Sequence, residues 1–292
     1  MEFSEEKKPI KNDISDEIMV KVSSFPSAPR AGIKLRALLA EEDVSTDEIE
    51  RILRQDPGLA ANVLRLANSA FFGLPQKVGS LKHAVTLLGL KRFAQIAVSA
   101  SMSKTMNKAV EGYGLSPGEL WRHSIAVSNT AEAIAKSKKF PETNDVFTPA
   151  LLHDMGKLVL GEFVEEELQK IQSITASGVP LDIAENMVLG TDHAEIGALI
   201  LARWSLPVDI VDAVRWHHNP ERNNTATMKS DMVYVSNLIC QSQAGSDPTD
   251  GQFSTPSPIV LERLGIKIEQ YEGYAEKAHS WMKKLSDTPI FD

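Results

Sequence analysis

The sequence predicts an all-α fold of two helical lobes sharing an interface, and three observations carry that prediction. Apolar residues recur at three- and four-residue spacing nearly everywhere along the chain. No run of alternating β-branched residues stands out, and no hairpin dipeptide separates such runs. Capping signals punctuate the apolar pattern where new helices should begin. The chain has 292 residues, 42% hydrophobic and 24% charged, which describes a globular protein whose core needs no covalent staples. Its one cysteine, Cys240, excludes an internal disulfide framework and suits a reducing compartment.

Residues 1–15 are expected to fray, and an amino-terminal lobe follows over about 16–110. In "RQDPGLAANVLRLANSAFFGLP", Asp56 has the side chain of an N-cap and Pro57 falls at the first helical position. Leu59, Val63, Leu66 and Ala67 then make an inward face. The following "NSAFF" admits two readings. One is a contact surface built on Arg65, Asn68 and Ser69; the other is a helix end and tight turn packed by Phe71 and Phe72. "SLKHAVTLLGLKRFAQIAVSASM" supplies one or two more helices, with Gly89 at the expected break.

"EGYGLSPGEL" is the joint to a second lobe over about 115–245. Ser116, Pro117 and Glu119 make a capping-box signature there that predicts the start of a helix. The polar loop "QAGSDPTDGQFSTPSP" then leads, within 246–292, to a final pair of amphipathic helices that should pack back on the body.

The formal charge of −8 argues against broad contact with a phosphate backbone, so no DNA partner is expected. No uncharged stretch is long enough to cross a bilayer, and "MEFSEEKKPIKNDISDE" lacks the apolar run of a signal peptide. A cytoplasmic protein with no membrane partner is the expectation.

The chemistry concentrates in the histidines, five of which fall in the second lobe. His123 lies in "ELWRHSIAVSNTAEAIA", His153 and Asp154 in "TPALLHDMGKLVLGEF", and His193 in "GTDHAEIGALILARW". His217 and His218 close "PVDIVDAVRWHHNP", before Pro220 stops the helix. Thr148 as N-cap and Pro149 as the first helical residue predict the start of the helix that carries His153 and Asp154. Ile196, Gly197 and Ile200 share the face of His193, and His217 points inward with Ile210 and Val214.

Taken singly, each of these is more often a hydrogen-bonded core histidine, and Lys157 a snorkelling lysine. His83 and His279 read as ordinary surface or helix-face residues. Taken together, imidazoles and a carboxylate converging from several helices suit zinc, iron, manganese or nickel. Adjacent helical residues diverge by about 100°, so His153 and Asp154 can grip one ion or bridge two from a single helix. Lys157, one turn from His153 on the same side, can meet a phosphate.

In the pattern "H…HD…H…HH" these residues resemble the HD-domain metal-dependent phosphohydrolases, and "LLHDMGK" is close to the "HDIGK" form of the HD-GYP cyclic-dinucleotide phosphodiesterases. The resemblance implies a compact HD-domain-like bundle with one or two divalent metals, held by His123, His153, Asp154, His193, His217 and His218. The amino-terminal half is similar to the HDOD domain, most specifically in "DPGLAANVLRLANSAFF" and "HAVTLLGLKRF". That similarity runs from roughly Ser23 to Gln243. It implies an additional amino-terminal lobe and a bacterial signalling role.

Two departures from the superfamily matter. After "WHHNP" the chain has "ERNNTATMKSDMVYVSN" and no "GYP" triplet. The superfamily's last ligand, an aspartate, is matched by Asn237, which shares a helical face with Val233 and Cys240 and should still point into the core. An amide offers a metal its carbonyl oxygen but no charge, which weakens a divalent site and removes one candidate for activating a water. Where "WHH" serves packing instead of metal, Trp204 and Trp216 wall the site and His218 is the exposed member of its pair.

Three function classes stay open. The first is a regulatory module that transmits a signal by binding a signalling protein or a nucleotide; the HDOD-like half and the missing aspartate favour it. The second is a metal-dependent phosphohydrolase acting on a nucleotide or cyclic dinucleotide, with Asp154 and Lys157 as catalytic residues and Lys157 steadying a phosphoryl oxygen. The third is a sensor that holds a nucleotide without cleaving it.

Overall fold

The computed structural model describes residues 12–39, 45–69, 71–140, 146–222, 228–243 and 255–286. Among them the only β pairing is an isolated bridge between Val110 and Leu115, so the chain is all-α as expected. The first half of the chain forms α1 (Asn12–Ser24), α2 (Arg30–Leu39), α3 (Thr46–Arg54), α4 (Pro57–Ala67), α5 (Leu81–Leu88) and α6 (Leu90–Met106); α2–α6 pack together as an amino-terminal lobe, whereas α1 lies against helices of the second half. Helix already covers Asn12 onward, which corrects the expected fraying of residues 12–15; residues 1–11 lie outside the described residues.

Local chemistry sets these elements. The Asp56 carboxylate accepts the Leu59 N–H at 2.9 Å and Pro57 follows at the first helical position, so α4 starts where its cap dictates. Leu59, Val63, Leu66 and Ala67 are buried, against α6. Gly89 separates α5 from α6 with φ +75°. α6 buries most of its surface, and α2 and α4 pack along it. At "NSAFF" the turn reading holds. The Asn68 amide donates to the Val78 carbonyl (2.8 Å) and accepts the Val78 N–H (2.7 Å), while Phe71 is buried edge-on to Phe72. Asn68 is spent on closing that turn, and Ser69 is buried.

The second lobe runs through a 3-10 turn, Glu111–Tyr113, into α7 (Glu119–Ser137), α8 (Phe147–Leu152), α9 (Lys157–Glu166) and α10 (Leu168–Thr175). It continues with α11 (Leu181–Leu189), α12 (His193–Arg203), α13 (Val208–Arg215), a second 3-10 turn at Pro220–Arg222, and α14 (Met228–Gln243). α7 does not open directly behind Ser116. The Glu119 carboxylate accepts the Ser116 N–H at 2.6 Å, half of a capping box, but the chain first turns through Pro117 and left-handed Gly118. α13 ends at Arg215, two residues short of His217, so Pro220 opens a 3-10 turn instead of stopping a helix.

α7 and α14 form the central pair, and the tail helices α15 (Pro258–Arg263) and α16 (Ile268–Ser286) lie against them, with Val260, Leu264 and Ala278 buried. This is the packing expected of the tail; most of the polar loop before it, residues 244–254, lies outside the described residues. One contiguous hydrophobic cluster runs through both lobes. The segment after α1 is tied to α12: Arg203 donates to the carbonyls of Val22 (3.0 Å) and Phe25 (2.7 Å), and the Trp204 indole donates to Pro26 (3.0 Å).

Between α6 and α7 sits a buried acid, Glu132, with a side chain 4% exposed. It accepts hydrogen bonds from Gln95 (2.9 Å) and Arg92 (3.1 Å), and Lys136 lies 3.2 Å away. Arg92 also donates to Asn129 at 2.6 Å and covers the Phe72 ring. Burial pushes the Glu132 pKa up, but the Gln95 hydrogen bond and the Arg92 and Lys136 charges outweigh it and hold the pKa below its ordinary value. A lowered folded-state pKa stabilises the protein above the ordinary carboxylate pKa, and that contribution is lost as pH falls through the lowered value. Glu132→Gln should therefore cost about 1–3 kcal/mol at neutral pH. Urea unfolding should show the gap to wild type shrinking below about pH 4.5; a gap that is constant or wider in acid contradicts this assignment.

Candidate metal centre

The apolar spacing of "TPALLHDMGKLVLGEF" predicts one helix, but the structure breaks it. α8 starts at Phe147 with Val146 at its cap, so Thr148 and Pro149 fall inside the first turn, and no side chain caps it. The helix then stops at Leu152, and His153–Gly156 form a tight turn before α9. Gly156 shows why. A Cβ there would lie 1.9 Å from the His193 carbonyl oxygen and 2.7 Å from the Gly197 amide nitrogen. The backbone of α12 already occupies the space that a side chain would need. The turn therefore rests on the first turn of α12, and His153 and Asp154 face His193 from a turn between helices, not from within one helix.

Every histidine singled out in the second lobe reaches this place. Among the described residues, His123, His153 and Asp154 offer ligand atoms all within 4.8 Å of one another, and so do His193, His217 and His218. Asp154 stands between the two groups. Its Oδ2 is 3.7 Å from His123 Nε2 and 3.3 Å from His153 Nε2; its Oδ1 is 3.5 Å from His193 Nε2 and 3.7 Å from His217 Nε2. Two ligands of one ion at about 2.1 Å are roughly 3.0–3.4 Å apart, so these spacings come within a few tenths of an ångström of a shared cation. Asn237 points into the same space, its Oδ1 2.9 Å from His123 Nε2.

The outer nitrogens fix the inner ones. His153 Nδ1–H donates to the Ala150 carbonyl (2.8 Å) and His217 Nδ1–H to the Val214 carbonyl (2.7 Å), because a carbonyl can only accept. Their Nε2 lone pairs are left aimed inward. Neither of those Nε2 atoms, nor either Asp154 oxygen, has a hydrogen-bond partner among the described residues, and all are buried. Buried polar atoms are almost always paired. Four buried atoms without hydrogen bonds, of which only Asp154 Oδ2 has an ammonium beside it, meet in one hollow, and their imidazole and carboxylate chemistry fits a divalent transition metal.

Electrostatics agree for most of the set. Burial, reinforced by neighbouring charge, pushes His217 and His218 well below the ordinary imidazole value, and burial pushes His123 down to about 4, against the pull of Asp154. These are neutral near pH 7, the form in which an imidazole can ligate. Burial opposes ionising Asp154, yet its neighbours His153 and the Lys157 ammonium hold its pKa well below the usual carboxylate range. His193 is the exception. Burial lowers it, but Glu185 overrides burial and raises it to about 9. Its Nε2 lies 2.8 Å from His218 Nε2, where an imidazolium proton can bridge the two.

Lys157 is 3% exposed, with Nζ 3.1 Å from Asp154 Oδ2 and 5.4 Å from the Tyr113 ring centre. It is buried beside the carboxylate and does not snorkel to solvent. His218 is half-buried where His217 is fully buried. Trp204 does not wall the centre; its indole is committed to Pro26 and Phe25. His83 pairs with Gln76, outside the centre.

Sequence reasoning missed α11. Glu185 accepts from both the backbone N–H and Nδ1–H of His193, each at 2.8 Å, and Asp182 accepts from Asn219 at 2.9 Å, just past His218. Glu185 is one turn from Leu181 and Leu189, both buried. A charge on an inward helical face is the same signal that marked His153 and Asp154.

Comparison with known proteins follows the same lines. A family model described as the HDOD domain matches residues 25–220. An uncharacterized protein of Treponema pallidum (strain Nichols) is 25% identical over 208 residues, covering 70% of this chain; the chain spans only 40% of that relative. An HDOD domain protein of unknown function from Geobacter sulfurreducens superposes with a TM-score of 0.72 at 25% identity, covering 94% of this chain and 92% of its own. A signal transduction protein from Marinobacter aquaeolei VT8, so named provisionally, gives 0.75 at 17% identity, over 95% of this chain and 65% of its own. A candidate phosphohydrolase from Shewanella amazonensis SB2B gives 0.70 at 24% identity, over 92% and 97%. At those last two identities the likeness is one of fold. No helix among the described residues is long and apolar enough to cross a membrane.

The Gly156 contact makes a prediction. Gly156→Ala must push α12 away from the turn, at a cost of about 3 kcal/mol. Its melting temperature should fall by several degrees, whereas Gly273→Ala, at an open position on α16, should not lower it. A Gly156→Ala protein that melts with wild type would mean the turn is not pinned by α12.

Proposed function

Because the chain belongs to the HDOD domain family, we propose that it is a signal-transduction component whose helical body holds a pair of divalent transition-metal ions around Asp154. One observation carries the pair. The two Asp154 oxygens, both buried and without hydrogen bonds, face two different histidine groups. His123, His153 and Asp154 Oδ2, with the Asn237 amide, would hold one ion; His193, His217, His218 and Asp154 Oδ1 would hold the other. Iron, manganese, nickel and zinc all suit such donors. When bound, such ions supply Lewis acidity toward a phosphoryl oxygen.

The chain's own residues favour binding over turnover. Among the described residues Asp154 is the only carboxylate in either ligand group, and Lys157 already offsets its charge. Asn237 contributes an oxygen where the superfamily pattern has an anion. A centre so short of negative charge keeps more of the cations' positive charge for an anionic ligand, and has one fewer base with which to activate water. A nucleotide or phosphodiester ligand fits that chemistry, with a signalling protein as the downstream partner and the cytoplasm as the compartment. The provisionally named signal transduction protein that shares the fold is in keeping with this reading.

A phosphohydrolase remains the second reading. Six histidine and aspartate ligands stand together with Lys157 beside them, an arrangement that Asp154 and Lys157 could use catalytically.

Metal content by mass spectrometry, on protein purified without a histidine tag, tests the proposal. Wild type should carry two equivalents after supply of manganese, iron or nickel. Asp154→Asn should lose metal from both halves, but His217→Ala from one only. A wild-type stoichiometry near zero under all three supplies contradicts the proposal. Hydrolysis of bis(p-nitrophenyl) phosphate separates the two readings. Equal rates in wild type and Asp154→Ala leave regulation alone, whereas a wild-type excess of about 100-fold or more establishes the enzyme.

A further inference from the structure

Tyr113 and Glu185 ligate nothing in this account, yet both are aimed at the centre. Glu185 is fully buried on α11, where a carboxylate is costly unless its oxygens are filled. Three donors fill them. Oε2 accepts the His193 backbone N–H and Nδ1–H, and Oε1 accepts the Tyr113 hydroxyl at 2.6 Å. The Tyr113 ring, itself 1% exposed, stands edge-on to the His193 ring at 6.2 Å and lies below the Lys157 ammonium.

Tyr113 does not come from the bundle around the centre. It belongs to the 3-10 turn in "EGYG" that joins α6 to α7, and so joins the two lobes. That turn is closed by the Val110–Leu115 bridge and by bonds from Tyr113 N to Val110 O and Gly114 N to Glu111 O, both 2.9 Å. It is also pressed onto α9 backbone to backbone. A Cβ on Gly112 would lie 2.2 Å from the Gly161 carbonyl and 2.7 Å from the Glu165 nitrogen. With no slack there, a shift of the joint moves the Tyr113 hydroxyl relative to Glu185, or moves α9 and Lys157 with it.

We propose that Tyr113 and Glu185 are positioning residues for the His193 half of the centre, and that through them the joint between the lobes senses whether that half is loaded. The inference rests on the two-ion reading. A histidine that ligates through Nε2 must keep its proton on Nδ1, and a carboxylate acceptor holds that tautomer and the ring plane. Glu185 also fixes the first residue of α12. Coupling of this kind is reciprocal: if joint geometry sets ion affinity, ion loading must steady the joint.

The test uses the full chain, with manganese as the probe. In competition with a chromogenic chelator, Tyr113→Phe and Glu185→Gln should each bind one equivalent as tightly as wild type. The other equivalent should bind roughly 10- to 100-fold more weakly. Amide hydrogen exchange over residues 110–115 should slow on manganese loading in wild type, and that protection should disappear in Tyr113→Phe, which keeps the ring and its packing. Equal weakening of both equivalents would indicate a general loss of stability and overturn the proposal. So would unchanged affinity, or manganese protection of the joint that survives in Tyr113→Phe. Wild type that binds fewer than two equivalents overturns the two-ion reading and this inference together, whereas normal wild-type binding with unaffected variants overturns this inference alone.

Discussion

A carboxylate buried with neither oxygen hydrogen-bonded is the constraint around which this protein is arranged. Removing an ion from water costs several kcal/mol even after relaxation, and Asp154 recovers only part of that from Lys157 at 3.1 Å. The fold nevertheless brings Asp154 to a point equidistant, within a few tenths of an ångström, from four imidazole nitrogens. Backbone contact accompanies that placement: Gly156 lets the turn after α8 rest against α12, where a side chain would not fit.

Around this charge the imidazoles are graded. His123, His217 and His218 are kept neutral by burial, and His193 alone is drawn toward the charged form by Glu185. His193 Nε2 and His218 Nε2 lie 2.8 Å apart, so a cation held there would compete with a proton for the same nitrogens. α11 governs this pair from outside: Glu185 holds His193, and Asp182 holds Asn219 beside His218. The two halves are therefore chemically unequal although they share one aspartate. One is braced by backbone carbonyls and Asn237, the other by a carboxylate that also reaches the joint between the lobes.

Features with a local cause could be read from the sequence. Asp56 and Pro57 start α4 because a cap and a ring act within one turn, and the face of Leu59, Val63 and Leu66 follows from helical period. Convergence of His123, His153, Asp154, His193, His217, His218 and Asn237 was legible chiefly through the resemblance to the HD pattern, with inward positions read from helical period for His193, His217 and Asn237. The break at His153–Gly156 was not. The apolar spacing continues straight through it, and the close approach that requires glycine at 156 is to α12, some forty residues later. α7 starts late for a related reason: the Ser116–Glu119 bond forms as its signature suggests, but left-handed Gly118 places a turn before the helix. Trp204 looked like a wall of the site because it lies near in sequence, yet its indole is drawn to Pro26, on the segment between α1 and α2. Tyr113 carried no periodic signal at all, as its role comes only from the way the joint lies on α9.

The central claim is that Asp154 bridges two cations. Anomalous diffraction from crystals grown with manganese tests it most directly. The account predicts two peaks flanking the Asp154 carboxylate, one beside His123 and His153 and one beside His193, His217 and His218. A single peak bound by one group alone, or ordered density with no anomalous signal between those groups, would contradict it.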